Sequence, residues 1–205
     1  MTVIAVDGPA ASGKGTLGKR LAEHFGFHHL DTGLLYRAVA AHVLPDLGDR
    51  DGAIRAARSF DPLWLADPEL RTEAMGAAAS KVSAEPEVRS ALLAFQRDFA
   101  GKPPGAVLDG RDIGTVVCPA ARVKLFVTAE VEVRAARRLK ELQARGKASI
   151  YAAVLQDLIE RDARDSERTT APMKAAADAL IIDTSRMDPD EVFQAALGLI
   201  EARLA

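Results

Sequence analysis

The apolar positions of this chain follow two rhythms. Five short runs, at residues 2–6, 27–30, 106–109, 123–127 and 179–183, are continuous or β-branched, as in strands covered on both faces. Between them apolar residues recur every three or four positions, the helical period, over 17–25, 33–43, 72–82, 86–99 and 190–204. A long charged helical region covers 130–168 and is broken near Gly146. Residues 45–69 look irregular, punctuated by Pro45, Gly48, Gly52, Pro62 and Pro68, with a short helix at 53–58. Strands separated by helices need crossover connections, so the pattern predicts an α/β fold with a doubly wound parallel sheet.

In such a sheet, ligands gather at the carboxyl ends of the strands. The first apolar run passes directly into Gly8-Pro9-Ala10-Ala11-Ser12-Gly13-Lys14-Gly15-Thr16. Glycines at this spacing let successive N–H groups point inward at an anion, Lys14 adds a reach toward β- and γ-phosphates, and the next helix offers its positive end. The commonest form of this loop has a metal-binding hydroxyl directly after the lysine; here Gly15 stands there and Thr16 follows. A glycine-rich turn without a ligand accounts less well for a lysine between strand and helix.

Three more polar clusters occur. Asp31-Thr32-Gly33 with Tyr36-Arg37 combines a strand end, a candidate N-cap at Thr32 and an arginine one turn on, a second anion site. Asp109-Gly110-Arg111-Asp112 closes a buried run, and Asp109 has the position of an acid that orients a magnesium shell. On a helix, Arg161, Arg164, Asp165 and Arg168 share one stripe, whose forked guanidinium donors suit a polyphosphate. Two facing anions with arginines between them describe phosphoryl transfer, which needs in-line positioning and charge neutralisation. An alcohol acceptor would require a base, whereas a phosphate monoester is already anionic, and the arginine surplus suits the second.

Length, charge and cysteine content narrow the setting. The chain has 205 residues, enough for one α/β domain with an inserted subdomain. Its net charge is -2, which points to no nucleic-acid or membrane partner. The single Cys118 excludes an intrachain disulfide and suits a reducing, cytoplasmic compartment; a monomer is expected. Trp64 reads as packing, the four histidines as structural, and Arg134, Arg137 and Arg138 as a solvated helix face.

Taken in order over nearly the whole chain, these pieces resemble the bacterial cytidylate kinases, a branch of the nucleoside monophosphate kinases. The resemblance rests on residues 4–9 with Ser12-Gly13-Lys14-Gly15-Thr16, on Leu30-Asp31-Thr32-Gly33 with Tyr36-Arg37, on residues 109–117, and on residues 160–168 followed by Ala171-Pro172 and 176–180. It implies transfer from ATP to CMP or dCMP with Mg2+. It implies that Gly8, Pro9, Ala10, Ala11, Ser12, Gly13, Lys14, Gly15, Thr16 and Arg164 hold the donor, with Thr16 and Asp109 toward the metal, directly or through water. Asp31, Thr32, Tyr36, Arg37, Ser80, Arg89, Arg111, Asp112, Arg161, Asp165 and Arg168 would surround the acceptor, with Lys14, Arg111, Arg161 and Arg168 catalytic. Ser80, Arg89 and Asp112 would read the base, Asp112 accepting from the exocyclic amine of cytosine, and Asp165 would accept from the ribose hydroxyls. Residues 1–44 and 105–205 would form the kinase core, with a lid at about 146–170, and 45–104 an acceptor-binding insert lacking most of the small sheet of longer members. Two rivals remain: an alcohol kinase such as shikimate kinase, and a nucleotide switch, which would leave Arg37, Arg111 and Asp112 without work.

Overall fold

The computed structural model describes residues 1–44 and 46–204; Pro45, at the expected start of the insert, and Ala205 lie outside the described residues. Five strands, β1 (Thr2–Asp7), β2 (His28–Asp31), β3 (Gly105–Gly110), β4 (Val123–Thr128) and β5 (Leu180–Asp183), form one sheet in the order β2-β3-β1-β4-β5, with every pairing parallel. Alternation within the central strands divides the core. Ala5 and Leu108 face a cluster with Leu35, Val39 and Leu92, whereas Ile4, Val6 and Val107 face Leu21, Leu125 and Ile200. Both faces are thus covered, as the continuous apolar runs require.

Helix α1 (Lys14–Phe25) begins three residues before its apolar period, because its first turn faces a cleft rather than the core. Helix α2 (Gly33–Val43) follows β2. The stretch expected to be irregular is more ordered than its apolar pattern suggests: it holds α3 (Arg50–Arg58) and two 3-10 turns, Pro62–Ala66 and Pro68–Arg71. Their organiser is local capping, since Asp49, Asp61 and Asp67 accept from the N–H of Gly52, Leu63 and Glu69 at 2.7, 2.9 and 2.9 Å. Helices α4 (Glu73–Val82) and α5 (Pro86–Ala100) complete this segment, which contains no strand among the described residues. The long charged region divides into α6 (Val131–Ala144) and α7 (Tyr151–Glu167), packed through Ala135, Leu142, Val154 and Leu158, and α8 (Pro189–Leu204) closes the chain. No helix among the described residues is long and apolar enough to cross a membrane.

Two features at the end of β1 hold the neighbouring loops in place. At Gly8, φ is +147°, and a Cβ there would lie 2.0 Å from the Val127 carbonyl oxygen, so only glycine lets the chain turn this close to β4. Just before it, the buried Asp7 carboxylate accepts from the N–H of Ile113 and of Gly114, each at 2.8 Å. These amides open a π-helical turn (Ile113–Val117) directly after Asp112, an irregularity that apolar periodicity does not signal.

Burial pushes the Asp7 carboxyl up to about 6, against the lowering effect of those two N–H bonds. The folded state therefore holds this proton more tightly than the unfolded chain, in which the group titrates near the ordinary 3.8. The associated stability is fully present below about pH 4 and is lost as pH rises through about 6. Relative to Asp7→Asn, the wild type is expected to lose about 2 kcal/mol of unfolding free energy between pH 4 and 7.5. Urea titrations at both pH values check this, and a constant difference between the two proteins would refute it.

Candidate active site

The carboxyl ends of β1, β2 and β3 converge, with α4, α5 and α7, on a cleft of about 290 Å³. Its floor is the phosphate loop, lined by Ala10, Ala11, Gly13, Lys14, Gly15 and Thr16; Gly8 and Pro9 do not line it, and the buried Ser12 lines a neighbouring cleft instead. Lys14 Nζ donates to the Pro9 carbonyl at 3.2 Å. Enclosure of that ammonium, reinforced by Arg111 and opposed by Asp109 and Asp31, brings Lys14 down to about 7.

At the end of β2, the Asp31 carboxylate, rather than the Thr32 hydroxyl, accepts from the first amide of α2 (Gly33 N–H, 3.0 Å). Thr32 Oγ1 donates to the Asp109 carbonyl at 2.9 Å, which ties β2 to β3. Burial and then the neighbouring Asp109 raise the Asp31 carboxyl. Asp109 Oδ2 lies 2.8 Å from His29 Nε2, a partner that the sequence did not single out. Arg37 Nη1 donates to the Leu70 and Thr72 carbonyls at 2.8 and 3.0 Å, which holds its guanidinium over the cleft. Beside it α4 carries Gly76, where a Cβ would meet Arg37 Nη2 at 3.2 Å and Arg161 Nη1 at 3.4 Å.

The other charged groups form a connected network. Arg89 pairs with Asp112 and lies over the buried Tyr36 ring, 5.3 Å from its centroid. Burial raises the Tyr36 phenol; at Arg89 burial works against the charge, but Tyr36 and Asp112 outweigh it and raise the guanidinium. Asp165 accepts from Arg111 Nε at 2.9 Å and from Ser80 Oγ at 3.3 Å. Burial opposes its charge too, yet Arg111, Arg161 and Arg168 prevail and keep the carboxyl low. Arg168 donates to the Ala171 carbonyl at 2.7 Å and to Ser83 Oγ at 3.3 Å. Two buried guanidinium nitrogens, Arg161 Nε and Arg168 Nη2, have no hydrogen-bond partner among the described residues; Asp165 and Asp112 face them only at 4.0 and 3.8 Å. Burial and then the neighbouring Arg111 bring Arg161 down to about 10, with Asp165 opposing them. The lining carries seven cationic side chains against five carboxylates, in a chain whose net charge is -2.

Two expectations change. Arg164 is not in the cleft: it is exposed and lies 3.8 Å from Glu160 one turn back. On a 3.6-residue helix it sits roughly 60° from Arg161, on the side away from Asp165, at the edge of the stripe. Conversely, the α6 arginines are not a solvated face. Arg134 is buried, Arg137 donates to Thr184 Oγ1 at 2.9 Å, and Arg138 lines the cleft. Arg137 and Thr184, with Met187, Pro189 and Val192, border the neighbouring cleft of about 330 Å³, which shares Ala11, Gly13, Thr16 and Glu141 with the first. Charge density on α6 looked like solvation in the sequence; what distinguishes it is proximity to the loop, which only the fold supplies.

The family model for cytidylate kinase matches residues 4–202. Proteins named cytidylate kinase from Afipia carboxidovorans and Azorhizobium caulinodans are 57% and 58% identical to this chain, covering 97% of it and 97% and 98% of their own lengths. Among solved structures, a shikimate kinase from Bacteroides thetaiotaomicron aligns over 100% of this chain and 99% of its own with a TM-score of 0.52. At 14% identity, that likeness speaks for the fold alone. With the strand-end clusters assembled around one cationic cleft and the family match spanning nearly the full length, this chain belongs to the cytidylate kinase family.

Proposed function

We propose that this chain transfers the γ-phosphoryl group of ATP to CMP and dCMP, giving ADP with CDP or dCDP, with magnesium as the accompanying ion. The observation that carries the reading is the pair of buried guanidinium nitrogens on Arg161 and Arg168 that lack a hydrogen bond among the described residues, their carboxylate neighbours Asp165 and Asp112 standing off at 4.0 and 3.8 Å, in a cleft that also holds Lys14, Arg37 and Arg111. A phosphate loop accounts for one anion; these further arginines ask for a second anion facing it.

In this reading residues 10–16 and Lys14 hold the donor phosphates, and the neighbouring cleft bordered by Arg137 and Thr184 takes the rest of the donor. Residues 45–104 serve as the acceptor-binding insert and about 146–170 as the lid. Thr32, Arg37, Arg111 and Arg161 surround the acceptor phosphate, with Arg168 beside the transferring group. An acceptor oxygen attacks γ-phosphorus as the bond to the β,γ-bridging oxygen breaks, and ADP leaves with that electron pair. The acceptor oxygen is already deprotonated at neutral pH, so no base is required; the arginines hold two anions together against their repulsion. Asp165 accepts from the ribose hydroxyls. Asp112, oriented by Arg89, accepts from the cytosine amine, with Ser80 in the same cleft, whereas uracil would set an oxygen against it.

Thr16 and Asp109 are the residues suited to magnesium, directly or through water, and the ion would neutralise charge on the donor phosphates. The neighbouring Asp31 and Asp109 carboxylates give that corner of the cleft its negative charge. Among the described residues no group of three or more His, Cys, Asp or Glu side chains is arranged to hold a metal, which suits an ion carried chiefly by phosphate oxygens and water. The reading includes a cytoplasmic monomer acting on small molecules; the single Cys118 suits the reducing compartment.

A coupled ADP-release assay with CMP, dCMP, UMP, AMP and shikimate tests this directly. CMP and dCMP are expected to exceed UMP by about ten- to a hundredfold in kcat/KM, the equivalent of about 1–3 kcal/mol, and shikimate to release no ADP above background. Asp112→Asn, which turns a donor toward uracil, should shrink the CMP-to-UMP ratio by at least about tenfold; an unchanged ratio would remove Asp112 from base reading. Arg161→Ala should lower kcat/KM for CMP by about a hundredfold while moving KM for ATP by less than about threefold. Equal loss on both substrates would place Arg161 outside the acceptor site.

A further inference from the structure

The buried Arg134 stands where three segments meet. Nε donates to the Ala129 carbonyl just beyond β4 at 2.9 Å, Nη1 to the Ala10 carbonyl of the phosphate loop at 3.2 Å, and Nη2 pairs with Asp162 of α7 at 2.7 Å. Its side chain is 6% exposed. An independent contact joins the same parts: the Ala10 methyl packs with Ala135, Leu142, Val154 and Leu158, the apolar seam between α6 and α7. The tip of the phosphate loop is thus fixed to the α6–α7 hairpin by one guanidinium and one methyl group.

Asp162 directly follows Arg161 and precedes Asp165 by three residues. Fixing Asp162 therefore fixes the rotation of α7 about its own axis, and with it the direction in which Arg161, Asp165 and Arg168 point. A planar guanidinium with donors on three nitrogens can hold a carbonyl, a second carbonyl and a carboxylate at once; a lysine ammonium lacks that rigid fork.

We propose that Arg134, acting through Asp162, is a positioning residue that ties the setting of α7 to the phosphate loop, so that donor and acceptor binding assist each other. The Ala10 carbonyl belongs to the same run of peptides whose N–H groups would hold the donor. The loop conformation favoured by the donor is then the one that seats Arg134, and seated Arg134 favours the α7 rotation in which Arg161 and Arg168 face the acceptor phosphate. A ligand shifts such an equilibrium only by its preference for one setting, and the assistance must be equal in both directions. The inference rests on the proposed binding of CMP as acceptor.

The test measures CMP affinity calorimetrically, with and without saturating magnesium and a non-hydrolysable ATP analogue, in wild type, Asp162→Asn, Arg134→Lys and the double variant. In the wild type the analogue should tighten CMP by at least about fivefold. In each variant the factor should fall below about twofold, with the double variant no worse than the singles, while the affinity for the analogue alone stays within about threefold of wild type. A wild type without the factor, variants that keep it, or losses that add in the double variant would overturn the proposal. Hydrogen exchange supplies a readout that needs no acceptor: the analogue should slow exchange over residues 158–168 in the wild type but not in Asp162→Asn, with residues 8–17 protected in both. If CMP fails to bind the wild type while this response behaves as expected, the acceptor reading falls and the coupling stands. If CMP binds and the response survives in Asp162→Asn, the coupling falls.

Discussion

The cleft is organised around one carboxylate. Asp165 accepts from Arg111 at the end of β3 and from Ser80 on α4, and its charge is maintained in a buried place by Arg111, Arg161 and Arg168. Sheet, α4 and α7 therefore meet at a single acid. A buried pair of this kind gains little net stability once desolvation is counted, but removing one partner leaves a charge with nowhere to go. The consequence is specificity of arrangement: the three segments have one low-energy way to fit together, and that way directs the remaining arginine nitrogens into the same space.

The sheet makes this possible without spending its own polar groups. Its all-parallel strands bury both faces in aliphatic contacts, which leaves the carboxyl ends and the loops that follow them for chemistry. Gly8 draws the phosphate loop tight against β4, and Asp7 binds the π-helical turn after Asp112 to the root of that loop. The phosphate loop and the turn after Asp112 are consequently anchored to neighbouring atoms of one strand end, although about a hundred residues of chain separate them.

Much of this was legible in the sequence because it is local. A β-branched run followed by the residues 8–16 loop specifies strand, turn and helix within a few residues, and the apolar runs at 106–109 and 123–127 announce buried strands. The order within 46–71 was not legible from hydrophobicity, since aspartate caps at Asp49, Asp61 and Asp67 set it. Nor was the sorting of the arginines. Arg134 and Arg164 stand on similarly charged helices, yet one is buried against the phosphate loop and the other is exposed beside Glu160. Helical periodicity gives the angle between side chains on one helix; which angle faces the cleft is decided by how that helix docks. The resemblance to the cytidylate kinases gave the cluster at Ser80, Arg89 and Asp112 a meaning that spacing alone would not.

Gly76 shows what such docking asks of the chain. It sits inside α4, where alanine has the better helix propensity by roughly 1 kcal/mol, and the absent methyl is the room into which the Arg37 and Arg161 guanidinium ends extend, at 3.2 and 3.4 Å from where it would be. An engineer seeking thermostability by replacing helical glycines with alanine would rank this position highly on propensity. The same exchange would press on two cations already crowded together. Along this helix the sequence best for the free helix and the sequence best for the assembled cleft diverge at one residue, and the natural chain carries the second.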